Sequence, residues 1–389
     1  MATKSKTPQI RFKGFNEEWK ESNLGHKVEF FTGLTYSPID VIKKRGTLVL
    51  RSSNVKNGRI VDADNVYVNS DVVNCDNVQK GDIAVVVRNG SRSLIGKHAQ
   101  IQVEMNNTVI GAFMTGIRSE QPSYTNALLD TQKFNNEIEK NLGATINQIT
   151  TGAFKKMIFS FPEFAEQTKI GDYFQHVDKL IEQKEKKYQK LRQFKKAMLD
   201  KMFPNNGATI PEIRFKGFSG EWEEKKLGEV LDYIQPTKYL VENTEYDDAY
   251  KTPVLTAGKT FILGYTDETT GIFKENLPVI IFDDFTTATK FVSFPFKAKS
   301  SAMKILTAKE GSNIKFIFEA MQIMKYEVGG HERHWISKFS NFFISLPSLE
   351  EQTKIGNYFH HLDKLINLHR QELEKLRNIK KASLEKMFV

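Results

Sequence analysis

The chain begins twice. Residues 8–25 read PQIRFKGFNEEWKESNLG and residues 211–228 read PEIRFKGFSGEWEEKKLG, identical at 12 of 18 positions. A second pair follows the same plan: residues 166–203 and 351–388 agree at 23 of 38 positions. The chain is therefore a tandem duplication, reading opening, body and long helix, then opening, body and long helix again. The bodies, 26–165 and 229–350, share little sequence and have 140 and 122 residues. The copies start 203 residues apart, too long a period for a solenoid, so the duplication predicts a two-lobed molecule.

The repeated tail is an amphipathic helix. Apolar residues fall at Ile170, Phe174, Val177, Ile181, Tyr188, Leu191, Phe194, Met198 and Met202, with Lys184 in the one seam position that breaks the run. The second copy repeats this with Ile355, Phe359, Leu362, Ile366, Leu373, Leu376, Ile379 and Met387. Such a stripe needs a partner helix, and at about 1.5 Å per residue each helix runs roughly 55 Å. The nearest candidate is the other copy, which predicts two antiparallel coiled-coil helices with one body at each end in a pseudo-two-fold arrangement. Ser348 and Glu351 have capping-box spacing after Pro347, whereas the first copy has Glu163 at the cap position. Gly171 and Gly356, equivalent and in the first turns, imply either close backbone approach at the helix crossing or a frayed turn. By the same symmetry Val389 should lie near Pro8, and Trp19 and Trp222 read as core anchors where each opening docks on a helix end. The expected divisions are 1–161, a first helix over 162–204, a second body over 205–346 and a second helix over 347–389. The expected fold class is α/β, in the mixed α+β sense.

Composition narrows the class. Apolar residues make up 40% and aromatics 11%, the range of a globular protein. No apolar run reaches membrane-spanning length, and MATKSKTPQI lacks the apolar stretch of a signal peptide. The lone Cys75 can form no internal disulfide, which fits a cytoplasmic location. A net charge of +9, from 56 Lys and Arg against 47 Asp and Glu, is compatible with a polyanionic partner.

No catalytic constellation emerges. Gly258-Lys259-Thr260 resembles the end of a phosphate loop, but Pro253 stands where the motif requires glycine. There is no dinucleotide fingerprint, no cysteine cluster for zinc, and no Asn/Asp-Pro-Pro-aromatic tetrapeptide of amino-methyltransferases. His331 and His334 follow two glycines without a third ligand, which reads as a solvated turn or a polar loop touching a ligand. Asp247-Asp248 and Asp283-Asp284 do not resolve into an acid–base pair.

Both bodies instead place polar loops after strand-like apolar runs. Hydroxyl, amide and cationic side chains are the types that bond base edges and phosphates. Candidate DNA contacts in the first body are Arg51, Asn54, Arg88, Asn89, Ser91, Arg92 and Lys97. In the second they are Thr256, Lys259, Thr286, Thr287, Lys290, Arg333 and His334. Two unlike bodies on a shared frame would read two unlike DNA tracts, an asymmetric split sequence, where a symmetric dimer would read a palindrome.

The paired IRFKGF…EW…LG openings, the Pro-x-x-x-Glu-Gln helix starts (Pro162 with Glu166-Gln167, Pro347 with Glu351-Gln352) and the KKA-x-L-x-K-M-F helix ends resemble the specificity subunits of type I restriction–modification enzymes over essentially the full length. The resemblance implies two variable target-recognition domains, two central helices that bind a pair of methyltransferase subunits, and a double-stranded DNA target of two half-sites with a nonspecific gap. It further implies restriction subunits joined through the complex, and S-adenosylmethionine, ATP and Mg²⁺ held by the partner subunits, with no cofactor, metal or catalytic residue on this chain. The alternatives are a coiled-coil protein-interaction adaptor and a stand-alone DNA endonuclease.

Overall fold

A computed structural model describes residues 7–43, 45–142, 147–205, 207–256, 258, 260–324, 335 and 338–389. The chain divides into two units, Met1–Glu185 with Glu372–Val389, and Lys186–Gln371. Each unit thus contains one body and part of each long helix.

In the first unit the apolar run Ile83–Val86, buried along its whole length, is an inner strand of an antiparallel sheet. The order is Glu29–Thr32, Met114–Arg118, Ile83–Val86, His98–Gln100. A second sheet is ordered Thr108–Ile110, Thr47–Leu50, Val66–Val68, Val41–Ile42, and its first two strands run parallel. The helix Gln132–Asn141 starts where the Thr131 side chain accepts from the Phe134 N–H, and it sends Phe134 and Ile138 into the core. Lys20–Asn23 pairs antiparallel with Ile158–Phe161, tying the opening to the strand that precedes the long helix.

The second unit has the same plan despite its different sequence. Its antiparallel sheet is ordered Leu231–Ile234, Met303–Ala308, Val279–Asp283, Thr289–Val292. A smaller sheet, Ile262–Thr266, Thr252–Leu255, Lys297–Ala298, again has one parallel pair. Glu223–Lys226 pairs with Phe343–Leu346 as the opening strand does in the first unit. Asn313 caps the helix Ile314–Ile323 by accepting from the backbone N–H groups of Lys315 and Phe316.

The long helices run Phe164–Met202 and Leu349–Met387, 39 residues each. Within the first unit they are antiparallel: Tyr173 meets Ser383 at 2.9 Å, Val177 and Ile181 pack with Leu373, and Lys184 pairs with Glu372 at 2.6 Å. Within the second unit Met198, Leu199 and Met202 pack with Ile355, Phe359 and Leu362. The expected docking of each opening is present in both copies. The Ile10 N–H donates to the Lys386 carbonyl and the Ile213 N–H to the Lys201 carbonyl, both at 2.9 Å. Trp19 is buried against Phe388, the residue after one helix, and Trp222 against Phe203, the residue after the other. The C-terminal residue therefore packs beside the opening of its own unit, as the duplication required.

Three expectations are corrected. A Cβ on Gly171 would lie 2.7 Å from the Tyr124 backbone nitrogen, and one on Gly356 would lie 2.7 Å from Asn313 Oδ1. The glycines let each long helix approach a short helix of its body, not the other long helix. Ser348 Oγ accepts from the Glu351 N–H at 3.4 Å, but the Glu351 carboxylate is gripped by Arg214 and not turned back to the cap. Phe194 and Ile379, counted in the apolar seams, are 46% and 40% exposed, so the partner helix does not cover them.

Candidate nucleic-acid interface

In the first unit the polar loops converge at one end of the antiparallel sheet. After Ile83–Val86 the backbone N–H groups of Val87 and Arg88 both donate to the Phe113 carbonyl, at 3.0 and 3.2 Å. The Asn89 N–H donates to the Asn147 carbonyl, and Asn147 Nδ2 donates back to the Gly90 carbonyl. Asn89 Nδ2 donates to Ser52 Oγ at 3.1 Å, its Oδ1 accepts from the Ser91 N–H, and Lys97 Nζ donates to the Ser52 carbonyl at 3.3 Å. Ser52 thus joins the loop after Thr47–Leu50 to the loop after Ile83–Val86. Ser91 Oγ lies 2.9 Å from Ser93 Oγ at an exposed bend.

The candidates differ in what remains available. Asn54 is fully buried: its Oδ1 accepts from the Arg51 N–H and its amide donates to Ala63 and Asn65, so it shapes the loop and offers nothing to a ligand. Arg51 is committed to the Asp64 carboxylate and carbonyl, and Arg92 to Glu139. Arg88 is exposed, with its guanidinium carbon 4.9 Å from the centre of the Phe113 ring.

The second unit builds an equivalent end from other residues. Asp283 Oδ1 accepts from the N–H groups of Phe285 and Thr286, closing a turn in which Thr287 has φ +60°. Thr286 is exposed and Thr287 half-buried. Asp284 is buried and paired with buried Lys304 at 3.1 Å, so the Asp283-Asp284 pair is a turn cap beside an internal ion pair. Lys290 is exposed, its Nζ 6.0 Å from the Phe261 ring centre, and the Thr256 N–H donates to the Phe261 carbonyl. Those two contacts bring the Thr256 and Lys290 loops together. Lys259, Arg333 and His334 lie outside the described residues, as does His331. Ser52, Phe113, Asn147 and Phe261 belong to these ends but gave no local signal. Their partners stand far away in sequence, and a lone aromatic in VIGAFMTG reads as core.

A family model for the "Type I restriction modification DNA specificity domain" matches residues 16–193 and again 219–378. The chain belongs to that family. The two matches of the specificity-domain family correspond to the two copies of the duplication. The Escherichia coli "Type I restriction enzyme EcoR124I/EcoR124II specificity subunit" is 50% identical over 143 residues, 36% of this chain and 35% of that relative. That match spans about a third of the relative's length. The crystal structure of the type I restriction-modification S subunit from M. genitalium aligns with a TM-score of 0.73 over 98% of this chain and 99% of that one, at 16% identity. At that identity the likeness concerns the fold.

The specificity-domain frame is held by contacts that recur at equivalent positions. Arg11 grips Glu166 through two hydrogen bonds of 2.7 Å, and Arg214 grips Glu351 in the same way. Lys380 bonds Asp178 of the other helix and Asp130 of the first body, at 2.7 and 2.6 Å. Its repeat equivalent Lys195 bonds Asp363 and Glu319 of the second body, at 2.6 and 3.1 Å. Burial alone would raise Asp130, but His98 and Lys380 outweigh it and hold the carboxyl at about 2. Burial would likewise lower His98, yet Asp130, whose Oδ1 is 3.3 Å from Nε2, and the Gly96 carbonyl leave the imidazole above its ordinary value. Burial raises Glu319 despite Lys315 and Lys195 beside it.

Exposed apolar residues of the frame also recur. Ile10 and Ile213, Ile158 and Phe343, Phe164 and Leu349, and Phe194 and Ile379 are equivalent pairs, all exposed. Among the described residues no group of three or more His, Cys, Asp and Glu could hold a metal ion, and no helix is long and apolar enough to cross a membrane.

Proposed function

We propose that this chain is the non-catalytic DNA sequence-specificity subunit of a type I restriction–modification complex. Each body reads one half-site of a split, asymmetric duplex target, and the shared frame carries methyltransferase subunits, through which restriction subunits join in the cytoplasm. S-adenosylmethionine, ATP and Mg²⁺ belong to those partners. The observation that carries the reading is a frame built twice with one strand order, around two loop sets of different chemistry. The first end offers arginine, asparagine and lysine; the second offers threonines and one lysine. A frame that repeats while its tips diverge fits a device whose partners are the same on both sides and whose DNA tracts are not.

The exposed apolar pairs favour two copies of one partner. An isolated surface apolar side chain needs no explanation, but four of them recurring at equivalent positions are what two copies of one partner would cover.

Exchanging residues 26–165 for the body of a related subunit tests the proposal. Methylome sequencing of a host expressing the chimera with its partner subunits is expected to show one half of the methylated motif changed and the other retained. A change in both halves would refute independent reading. Cleavage of DNA by the purified chain with Mg²⁺ alone would refute the non-catalytic role.

A further inference from the structure

We infer that Arg88, supported by Phe113, is the residue of the first body that reads a guanine. The inference rests on the DNA-reading role proposed above and adds which base and which side chain. The other arginines of the described first unit are already engaged or misplaced. Arg11, Arg51, Arg59, Arg92 and Arg118 lie against Glu166, Asp64, Glu182 with Glu185, Glu139 and Asp82 respectively. Arg377, on the second long helix, bonds Glu185, and Arg192 belongs to the other unit. Arg45 precedes the Thr47–Leu50 strand, at the end opposite Arg51 and the converged loops.

Arg88 differs on each count. It is exposed, at the sheet end where the loops of Ser52, Asn89 and Lys97 meet, and among the described residues no carboxylate bonds its guanidinium. A guanidinium is planar and carries its donors in the plane as a fork. An aromatic ring centre 4.9 Å from the guanidinium carbon attracts the cation through its face, a contact that uses none of the in-plane N–H donors. Those donors match the O6 and N7 acceptors that guanine alone presents as a pair in the major groove. The two side chains spring from one backbone junction: Phe113 is 55% exposed, and its carbonyl takes both the Val87 and Arg88 N–H groups. Preorganisation of this kind lowers the ordering cost that a free surface arginine would meet on binding. Arg51, the other loop arginine beside Ser52, is by contrast neutralised by Asp64 and serves the loop.

The test uses the full chain assembled with its partner subunits, as wild type, Arg88→Lys, Arg88→Ala and Phe113→Leu. The readouts are the methylated motif, selection from a randomised duplex pool, and thermal melting. The inference expects a guanine–cytosine pair in one half-site whose discrimination falls roughly tenfold or more in Arg88→Lys and Arg88→Ala, with the other half unchanged. Phe113→Leu should weaken the same position to a smaller degree, and all variants should melt with the wild type. Retained sequence preference with uniformly weaker binding would mean a phosphate contact and overturn the inference. So would relaxed specificity at an adenine–thymine pair or in the other half-site. A wild-type complex that methylates no split motif would sink the functional reading itself, a result distinct from either.

Discussion

Removing Arg11 should destabilise the first unit through a single buried carboxylate. Its guanidinium makes two 2.7 Å hydrogen bonds to Glu166, whose side chain is fully buried, and a third to the Glu17 carbonyl. Arg11→Ala leaves that carboxylate without its cation and away from water. Breaking a buried pair in this way costs about 3–5 kcal/mol, and Arg11 retains some exposure, so a loss of about 3 kcal/mol is expected. For a unit of this size that lowers Tm by about 6–12 °C. Most of the cost lies in the stranded charge, not in the pair's net attraction. Hence Arg11→Ala combined with Glu166→Gln should recover about half of the loss. Differential scanning calorimetry of the four proteins in the cycle supplies the numbers, and hydrogen exchange over residues 8–25 locates them. A single variant melting within about 1 °C of wild type would refute the reasoning, as would a double variant no more stable than the single. The equivalent change Arg214→Ala, which strands Glu351, should act on the second unit by a similar amount.

Gly171→Ala and Gly356→Ala should each destabilise by about 1–2 kcal/mol, because a Cβ 2.7 Å from its neighbour outweighs the helix-propensity gain of about 1 kcal/mol. A denaturant midpoint shifted upward would show that the glycines serve no close approach. The Asp130 carboxyl, at about 2 in the folded chain, contributes about 2 kcal/mol to the first unit above pH 4, and this is lost as pH falls toward 2. His98 acts in the opposite sense: its contribution is complete below about pH 6.5 and fades as pH rises through its raised folded value. Lys380 bonds Asp130 and also Asp178, whose carbonyl takes Arg59, so melting of wild type against His98→Gln between pH 3 and 9 isolates the imidazole from these neighbours. A variant with the same fall above pH 6.5 would remove His98 from the account.

The frame was legible because it occurs twice. Duplication exposed the openings, the helices and the return of Val389 to the first opening, and periodicity located the apolar stripes. Periodicity also misled at Phe194 and Ile379, since a stripe records which residues avoid water without recording which protein covers them. The carboxylates Glu166 and Glu351 looked like helix-start residues and Arg11 and Arg214 like part of a surface motif. Their pairing spans 155 and 137 residues, a distance that local patterns do not carry. The loops divided on the same ground. Asn54 and Arg88 have the same polar loop character in sequence, yet one is buried as a loop support and the other exposed, because neighbours from distant strands decide burial.

Why the bodies could diverge while the frame did not follows from where their contacts lie. The frame's charged side chains are matched to specific partners: one arginine to one buried glutamate, one lysine to both an aspartate on the other helix and an acid on the body. Changing either member alone strands a charge, so both copies keep both members. The four-stranded sheet of each body asks only for apolar residues of suitable shape, a requirement many sequences meet. Beyond its strand ends, the loops at the tip are constrained mainly by their own turns. Asp283 closes one tip and Asn89 the other with different chemistry, and both leave a cation beside an aromatic ring, Lys290 with Phe261 and Arg88 with Phe113. Under the proposed reading, recognition can therefore change at the tips without disturbing the junctions: replacing the first body leaves the Arg11–Glu166 and Lys380–Asp178 pairs in place and asks of the incoming body an acid where Asp130 meets Lys380.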